Sequence, residues 1–120
     1  MKEFLMIGIG GFFGSIARYG VYIITLRHLG EKTYLATLIV NLIGCLLIGL
    51  LAGGLLKLNQ NQNLLLITGL CGGFTTFSAF AFDGFKLLKS GMYFDFALYA
   101  IVSVVGGALL CFLGLSVSGK

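Results

Sequence analysis

The chain contains 120 residues, of which 58% are hydrophobic and 10% are charged, and its mean hydropathy is +1.05. A membrane-spanning helix needs about 20 mainly apolar residues, so this length accommodates at most four or five spans. The composition therefore indicates one transmembrane domain over residues 1–120. It excludes most enzyme classes, which need a soluble domain of roughly 100 residues, and we expect no enzymatic activity.

The net charge of +4 does not predict a nucleic-acid-binding surface, because the eight basic residues lie scattered at the ends of apolar runs. The three cysteines, Cys45, Cys71 and Cys111, each lie within an apolar run and lack the spacing of a zinc site. We interpret them as structural thiols.

Four apolar runs predict an all-α membrane protein with four transmembrane helices. They cover about residues 4–26, 34–56, 64–88 and 92–117. The chain contains no convincing internal repeat, so inverted symmetry requires a second copy of the protein.

The basic residues do not orient the four predicted helices. One side of the membrane receives Lys2, Lys57 and Lys120, and the other receives Arg27, Lys32, Lys86 and Lys89. A strong excess of lysine and arginine on one side normally fixes orientation. Three against four instead permits insertion in both directions and pairing as an antiparallel dimer, and the open alternative is a weakly biased protein with one fixed orientation.

The centre of the third run is rich in glycine and hydroxyl residues. Gly72 and Gly73 are followed by Thr75, Thr76 and Ser78, a combination that weakens a helix. The pattern predicts a break at mid-membrane, whose freed carbonyls can bind a cation and whose hydroxyls can face an anion. The alternative is a glycine-packed crossing helix.

Phe77 and Phe80 follow this predicted break and share a face if the segment is helical. A phenyl ring has a positive edge against which a dehydrated anion can lie. Core packing is the alternative, and the neighbouring hydroxyls of Thr76 and Ser78 favour the anion site.

Polar residues in the second and fourth runs add hydrogen-bond donors. Asn41 lies one third of the way through the second run, with Thr37 one turn away, and Tyr99 and Ser103 share a face of the fourth run. These groups can form a donor track for an anion. For Asn41, a hydrogen bond between helices is the alternative.

Charged residues within the runs are few. Arg18 is either an interfacial anchor or an attractant for anions. A proton-coupled exporter of cations needs a carboxylate within the membrane, and the best candidate, Asp83, lies off-centre in the last third of the third run. This distribution favours an anion pathway or no pathway.

Three segments, in order, resemble the CrcB/Fluc family of fluoride channels. They are residues 10–19 (GGFFGSIARY), 40–44 (VNLIG) and 72–80 (GGFTTFSAF). The resemblance implies passive export of fluoride across the bacterial inner membrane, through two pores of a dual-topology antiparallel homodimer.

The resemblance also implies roles for individual residues. The expected pore residues are Asn41, Phe77, Ser78, Phe80, Thr76, Tyr99 and Ser103, with Arg18 in a vestibule. The backbone carbonyls of Gly72 and Thr75 from both subunits are expected to hold a structural sodium ion (Na⁺) at the dimer centre.

The chain departs from the family pattern in three places. Ala79 replaces a frequent hydroxyl residue, Asp83 stands where glutamate is commoner, and Gly107 continues the spacing of Tyr99 and Ser103 without a hydroxyl. A small multidrug-type proton-coupled antiporter is the main alternative function, and a non-transporting membrane assembly protein is another.

Overall fold

A computed structural model describes residues 1–119, and every regular element in that range is a helix, with no strand. Four helices are long and apolar enough to cross a membrane: span one (Lys2–Leu29), span two (Thr33–Ala52), span three (Gln60–Lys89) and span four (Tyr93–Val117). The predicted all-α membrane fold is therefore confirmed. Lys120, one of the basic residues counted above, lies outside the described residues.

The turns between the spans contain residues that end one helix or begin the next. Span two ends at Ala52, earlier than the expected position near residue 56, because Gly54 adopts a φ of 98° that a helix cannot contain. Span three begins after Asn59, which accepts a hydrogen bond from the backbone of Gln62 while the Gln62 side chain bonds back to Asn59. This reciprocal capping box starts a helix at the membrane boundary.

Span three is interrupted at the predicted position. It consists of an α-helical turn at Gln60–Asn63, a π-helix at Leu64–Cys71, a short α-helical segment at Gly72–Phe74 and a final α-helix at Phe77–Lys89. Thr75 and Thr76 lie between the last two segments in extended conformation. We refer to these two residues as the break.

Span four contains a second π-helical segment. The helix is α-helical at Tyr93–Ile101, widens at Val102–Gly106 and becomes α-helical again at Gly107–Val117. Such π segments are uncommon and occur frequently at functional sites. Ser103, a predicted donor, lies within this segment.

The four spans pack closely through glycine. A Cβ added to Gly73 of span three would lie 2.7 Å from the carbonyl oxygen of Gly11 in span one. A Cβ added to Gly114 of span four would lie 2.7 Å from the backbone nitrogen of Leu50 in span two. Close backbone approach of this kind is a main source of helix association in membranes, where lipid is as apolar as the side chains.

Candidate functional site

The break is held in place by one side chain from span two. The Asn41 Nδ2 group donates to the carbonyl of Thr76 at 3.0 Å, and the backbone N–H of Thr76 donates to Asn41 Oδ1 at 2.8 Å. Both backbone polar groups of Thr76 thus have a partner, as irregular backbone within a membrane requires. Since an amide group has two N–H donors, Asn41 retains one for a further acceptor.

The break separates backbone carbonyls on span three from their helical donors. In a continuous α-helix, the N–H of Thr76 would bond to Gly72 and the N–H of Ala79 would bond to Thr75. Here the Thr76 N–H donates to Asn41, and the Ala79 N–H donates to Thr76 Oγ1 at 3.1 Å. The carbonyls of Gly72 and Thr75, the predicted sodium ligands, are therefore among those that lose their helical donors, and the carbonyl of Gly73 between them accepts from Arg18 instead.

Three aromatic rings follow one another beside the break. The ring centroids of Phe77 and Phe80 are 5.8 Å apart, and those of Phe80 and Tyr99 are 5.1 Å apart. Tilts of 45° between the rings in both pairs leave ring edges turned toward their neighbours. Phe77 is 79% exposed on the single chain, so its ring is open to a neighbouring molecule.

Two buried hydroxyl groups of span four have no hydrogen-bond partner among residues 1–119. They are the phenol of Tyr99, a residue only 2% exposed, and Oγ of Ser103. An unpaired buried hydroxyl costs roughly 1–3 kcal/mol, so such groups require an explanation. Ser103 lines the same cavity as Phe80, where its hydroxyl can face a ligand, whereas Tyr99 contributes its ring, which packs against Phe80.

The remaining predicted hydroxyls lie at the start of the last helical segment of span three. Thr76 Oγ1 accepts from the Ala79 backbone, which caps this helix, and it lies 3.2 Å from Ser78 Oγ. Ser78 is exposed on the single chain, as Phe77 is. The two hydroxyls thus form one polar edge at the break.

Two cavities meet at the break. An inner cavity of about 290 Å³ is lined by Asn41, Cys45, Ile48, Thr75, Thr76, Phe77, Phe80, Ser103 and Val104. An outer cavity of about 480 Å³ includes Arg18, Asp83 and Lys86 in its wall. Thr76 lines both cavities, so the break separates a cavity with charged side chains in its wall from one without them.

Arg18 connects span one to the break from the outer cavity. Its Nε group donates to the carbonyl of Gly73 at 3.1 Å, and its side chain is half-buried. The guanidinium group has five N–H donors, of which this bond uses one. Arg18 therefore both braces span three and places positive charge in the cavity wall.

Asp83 is part of a network that the sequence analysis did not predict. Its carboxylate accepts hydrogen bonds from Thr33 Oγ1 at 3.1 Å and Thr37 Oγ1 at 2.6 Å, and it pairs with Lys86 Nζ at 3.2 Å. The side chain is buried, so these partners compensate its lost hydration. The three-residue spacing of Asp83 and Lys86 on one helix was the available signal.

The residues predicted for the ion path and the sodium site lie in different parts of the structure. Asn41, Thr76, Phe77, Phe80 and Ser103 line one cavity. Tyr99 contacts Phe80 through its ring, and Ser78 contacts Thr76. Gly72 lies before the break, Thr75 is part of the break and also lines the inner cavity, and Arg18 lies in the wall of the outer cavity.

The model of the family described as "CrcB-like protein, Camphor Resistance (CrcB)" matches residues 5–115. The chain belongs to this family. The resemblance found in the sequence motifs is therefore confirmed over nearly the whole chain.

Three proteins with similar sequences share the same name. A protein of Phocaeicola vulgatus is 42% identical over 120 residues, covering 98% of this chain and 99% of its own length. A protein of Hyphomonas neptunium is 44% identical over 119 residues (96% and 94%), and one of Azobacteroides pseudotrichonymphae is 38% identical over 117 residues (95% and 94%). All three are named fluoride-specific ion channel FluC.

Proposed function

We propose that this protein is a fluoride-selective channel that lets fluoride leave the cell passively across the bacterial inner membrane. The observation that carries the proposal is the inner cavity, where the spare Asn41 N–H and the unpartnered Ser103 hydroxyl lie with the rings of Phe77 and Phe80. The names of the CrcB-family relatives point to the same ion.

Fluoride reaches the outer cavity first. Arg18 and Lys86 supply positive charge in its wall, and Lys86 neutralises the Asp83 carboxylate that would otherwise repel an anion. A cavity whose wall carries one predominant sign raises the local concentration of the opposite ion.

The ion then passes Thr76 into the inner cavity. There it exchanges water for the spare Asn41 N–H, the hydroxyl of Ser103 and the edges of Phe77 and Phe80. Desolvation is the main barrier, and small, strong donors repay more of it for fluoride than for the larger chloride ion. The size of the ion and the strength of its hydrogen bonds therefore both favour fluoride over chloride.

We further propose that the working unit is an antiparallel homodimer with two pores. Gly72 and Phe77, on either side of the break, are exposed on the single chain. Non-helical backbone at membrane depth is stable only when protein or water covers it, so a second copy is the natural cover. The near balance of basic residues between the two sides permits the two copies to insert in opposite directions.

A sodium ion fits the dimer centre in this arrangement. The carbonyls of Gly72 and Thr75 have lost their helical donors, and unwound carbonyls are typical ligands of Na⁺ in membrane proteins. Two carbonyls from each of two chains would hold the ion. When bound, sodium supplies fixed positive charge and braces the two broken helices.

Fluoride efflux from liposomes containing the purified protein tests the channel, with a fluoride electrode as detector and chloride efflux as the matched control. We expect rapid release of fluoride and little release of chloride. A folded dimer that releases neither ion would overturn the proposal.

The antiporter alternative has a separate outcome in the same liposomes. It requires uptake of a cationic drug driven by a proton gradient and abolished by Asp83→Asn. We expect no such uptake, because the Asp83 oxygens already accept bonds from Thr33, Thr37 and Lys86.

A further inference from the structure

Two of the three cysteines lie together where span two contacts span four. Cys111 Sγ donates a hydrogen bond to the backbone carbonyl of Cys45 at 3.2 Å. The two thiols are also neighbours of each other, and neither forms a disulfide. The positions are 66 residues apart in sequence, so their spacing gave no sign of a pair.

Glycines on the two helices fix this pair. Cys45 Sγ lies 3.1 Å from the position that a Cβ on Gly107 would occupy. One turn after Cys45, a Cβ on Gly49 would lie 3.1 Å from the Cα of Cys111. Because the two backbones touch here, the two cysteine side chains share one short stretch of the contact between the helices.

Cys45 also faces the proposed path of the ion. It lines the inner cavity with Asn41, Phe77 and Phe80, and it lies one helical turn after Asn41 on the same face. A group bound to Cys45 therefore takes up space where fluoride must pass the two rings.

The number of thiols in the pair indicates which class of metal ion it can bind. Thiolates prefer soft metal ions. Residues 1–119 contain no cluster of three or more His, Cys, Asp or Glu side chains, whereas a structural zinc site needs four ligands. A pair of thiolates suits soft cations that bind two ligands in line, such as Hg²⁺, Ag⁺ and Cu⁺.

We propose that Cys45 and Cys111 form a two-thiol binding site for a soft, two-coordinate metal cation, and that its occupation blocks the inner cavity. With mercuric chloride, both S–H bonds and both Hg–Cl bonds break and two S–Hg bonds form. Two protons and two chloride ions are released, with no change in oxidation state. The blocking effect rests on the proposed channel function, whereas metal binding does not.

Mercuric chloride is a suitable probe because the molecule is uncharged and enters the bilayer. The full chain in liposomes would be treated with one equivalent, washed with increasing concentrations of a monothiol, and weighed by mass spectrometry. We expect the unmodified protein to bind one mercury per chain. Removing that mercury should need a monothiol concentration about 100-fold higher than for Cys45→Ala or Cys111→Ala, because two linked thiols bind the ion as a chelate. Cys71→Ala, which changes a buried thiol on span three, should behave like the unmodified protein.

Fluoride efflux from the same liposomes gives the second readout. Mercuric chloride should stop efflux in the unmodified protein and in Cys71→Ala, and excess dithiothreitol should restore it. Cys45→Ala should keep the efflux of its own untreated liposomes at the same dose. Cys111→Ala still contains Cys45, which binds mercury through one S–Hg bond, so its efflux should fall but should recover at about 100-fold less monothiol than the unmodified protein needs.

Equal retention of mercury by Cys111→Ala and the unmodified protein would overturn the two-thiol site, and retention without loss of efflux would overturn the block. Absence of fluoride efflux before any metal is added would instead overturn the proposed function, and the binding measurement would still decide the site.

Discussion

The two halves of span three are stabilised in different ways. The half before the break packs its backbone against span one, where a Cβ added to Gly14 would lie 2.8 Å from the backbone nitrogen of Phe74. The half after the break is joined to span two by polar side chains, through the bonds from Asn41 to Thr76 and from Thr37 to Asp83. Added atoms should therefore destabilise the half before the break, whereas loss of hydrogen-bond partners should destabilise the half after it.

The largest effect is expected where the backbones touch. Gly14→Ala places a methyl group against the backbone of Leu70 and Phe74, which cannot move aside as a flexible side chain would. We expect a loss of about 3 kcal/mol in the free energy of unfolding, measured by SDS titration in mixed micelles. Gly20→Ala is the matched control, because nothing lies within 4 Å of the added atom. Equal stability of the two variants would contradict the packing account.

Loss of the amide clamp is expected to be the next largest effect. Asn41→Leu leaves the N–H and carbonyl of Thr76 without the partners that they have at 2.8 and 3.0 Å. We expect a loss of about 2 kcal/mol in the same titration. Asn63→Leu changes an exposed amide at the start of span three and should be nearly neutral. A neutral Asn41→Leu would show that the break needs no clamp.

An effect on transport is expected within the second half. Phe80→Ile keeps an apolar side chain but removes the ring edge between Phe77 and Tyr99. We expect fluoride efflux to fall about tenfold, equivalent to about 1.4 kcal/mol, with the proposed dimer still eluting as in the unmodified protein on size-exclusion chromatography. Phe85→Ile, which changes an exposed ring on the same helix, is the control. Full retained efflux in Phe80→Ile would count against the ring-edge contact.

The smallest effect is expected at the helix cap. Thr76→Val removes the hydroxyl that accepts from the Ala79 backbone while keeping the shape of the side chain. We expect a loss of about 1 kcal/mol in the SDS titration. Thr68→Val, on the exposed face of the first half, supplies the comparison. A larger loss in Thr68→Val would reverse the contrast between the two halves.

Sequence alone predicted the parts of the fold that depend on local chemistry. The apolar runs predicted four spans, and Gly72-Gly73 followed by hydroxyl residues predicted the break. The π-helical segments were not predicted, because hydropathy in a uniformly apolar run does not distinguish 3.6 residues per turn from a wider helix. Their position depends on contacts between spans.

The sequence predicted which residues belong to the candidate site but not which of them contact one another. The sequence left two interpretations of Asn41 open, and the structure shows a bond between helices to the Thr76 backbone, with one N–H to spare. The bond from Thr37 to Asp83 joins residues 46 apart in sequence, and a single sequence contains no information on such pairs. The pair of Cys45 and Cys111 escaped prediction for the same reason.

The most direct test of the anion path changes only the two unpartnered hydroxyls. Fluoride efflux would be compared between the double variant Tyr99→Phe with Ser103→Ala and the matched double variant Tyr93→Phe with Ser116→Ala, which loses the same hydroxyls at exposed positions. The account predicts that efflux falls at least about tenfold in the first variant and is unchanged in the second, because the buried hydroxyls, unlike the exposed ones, replace part of the water around the ion. Equal efflux from the two variants would contradict the proposal that fluoride passes these hydroxyls.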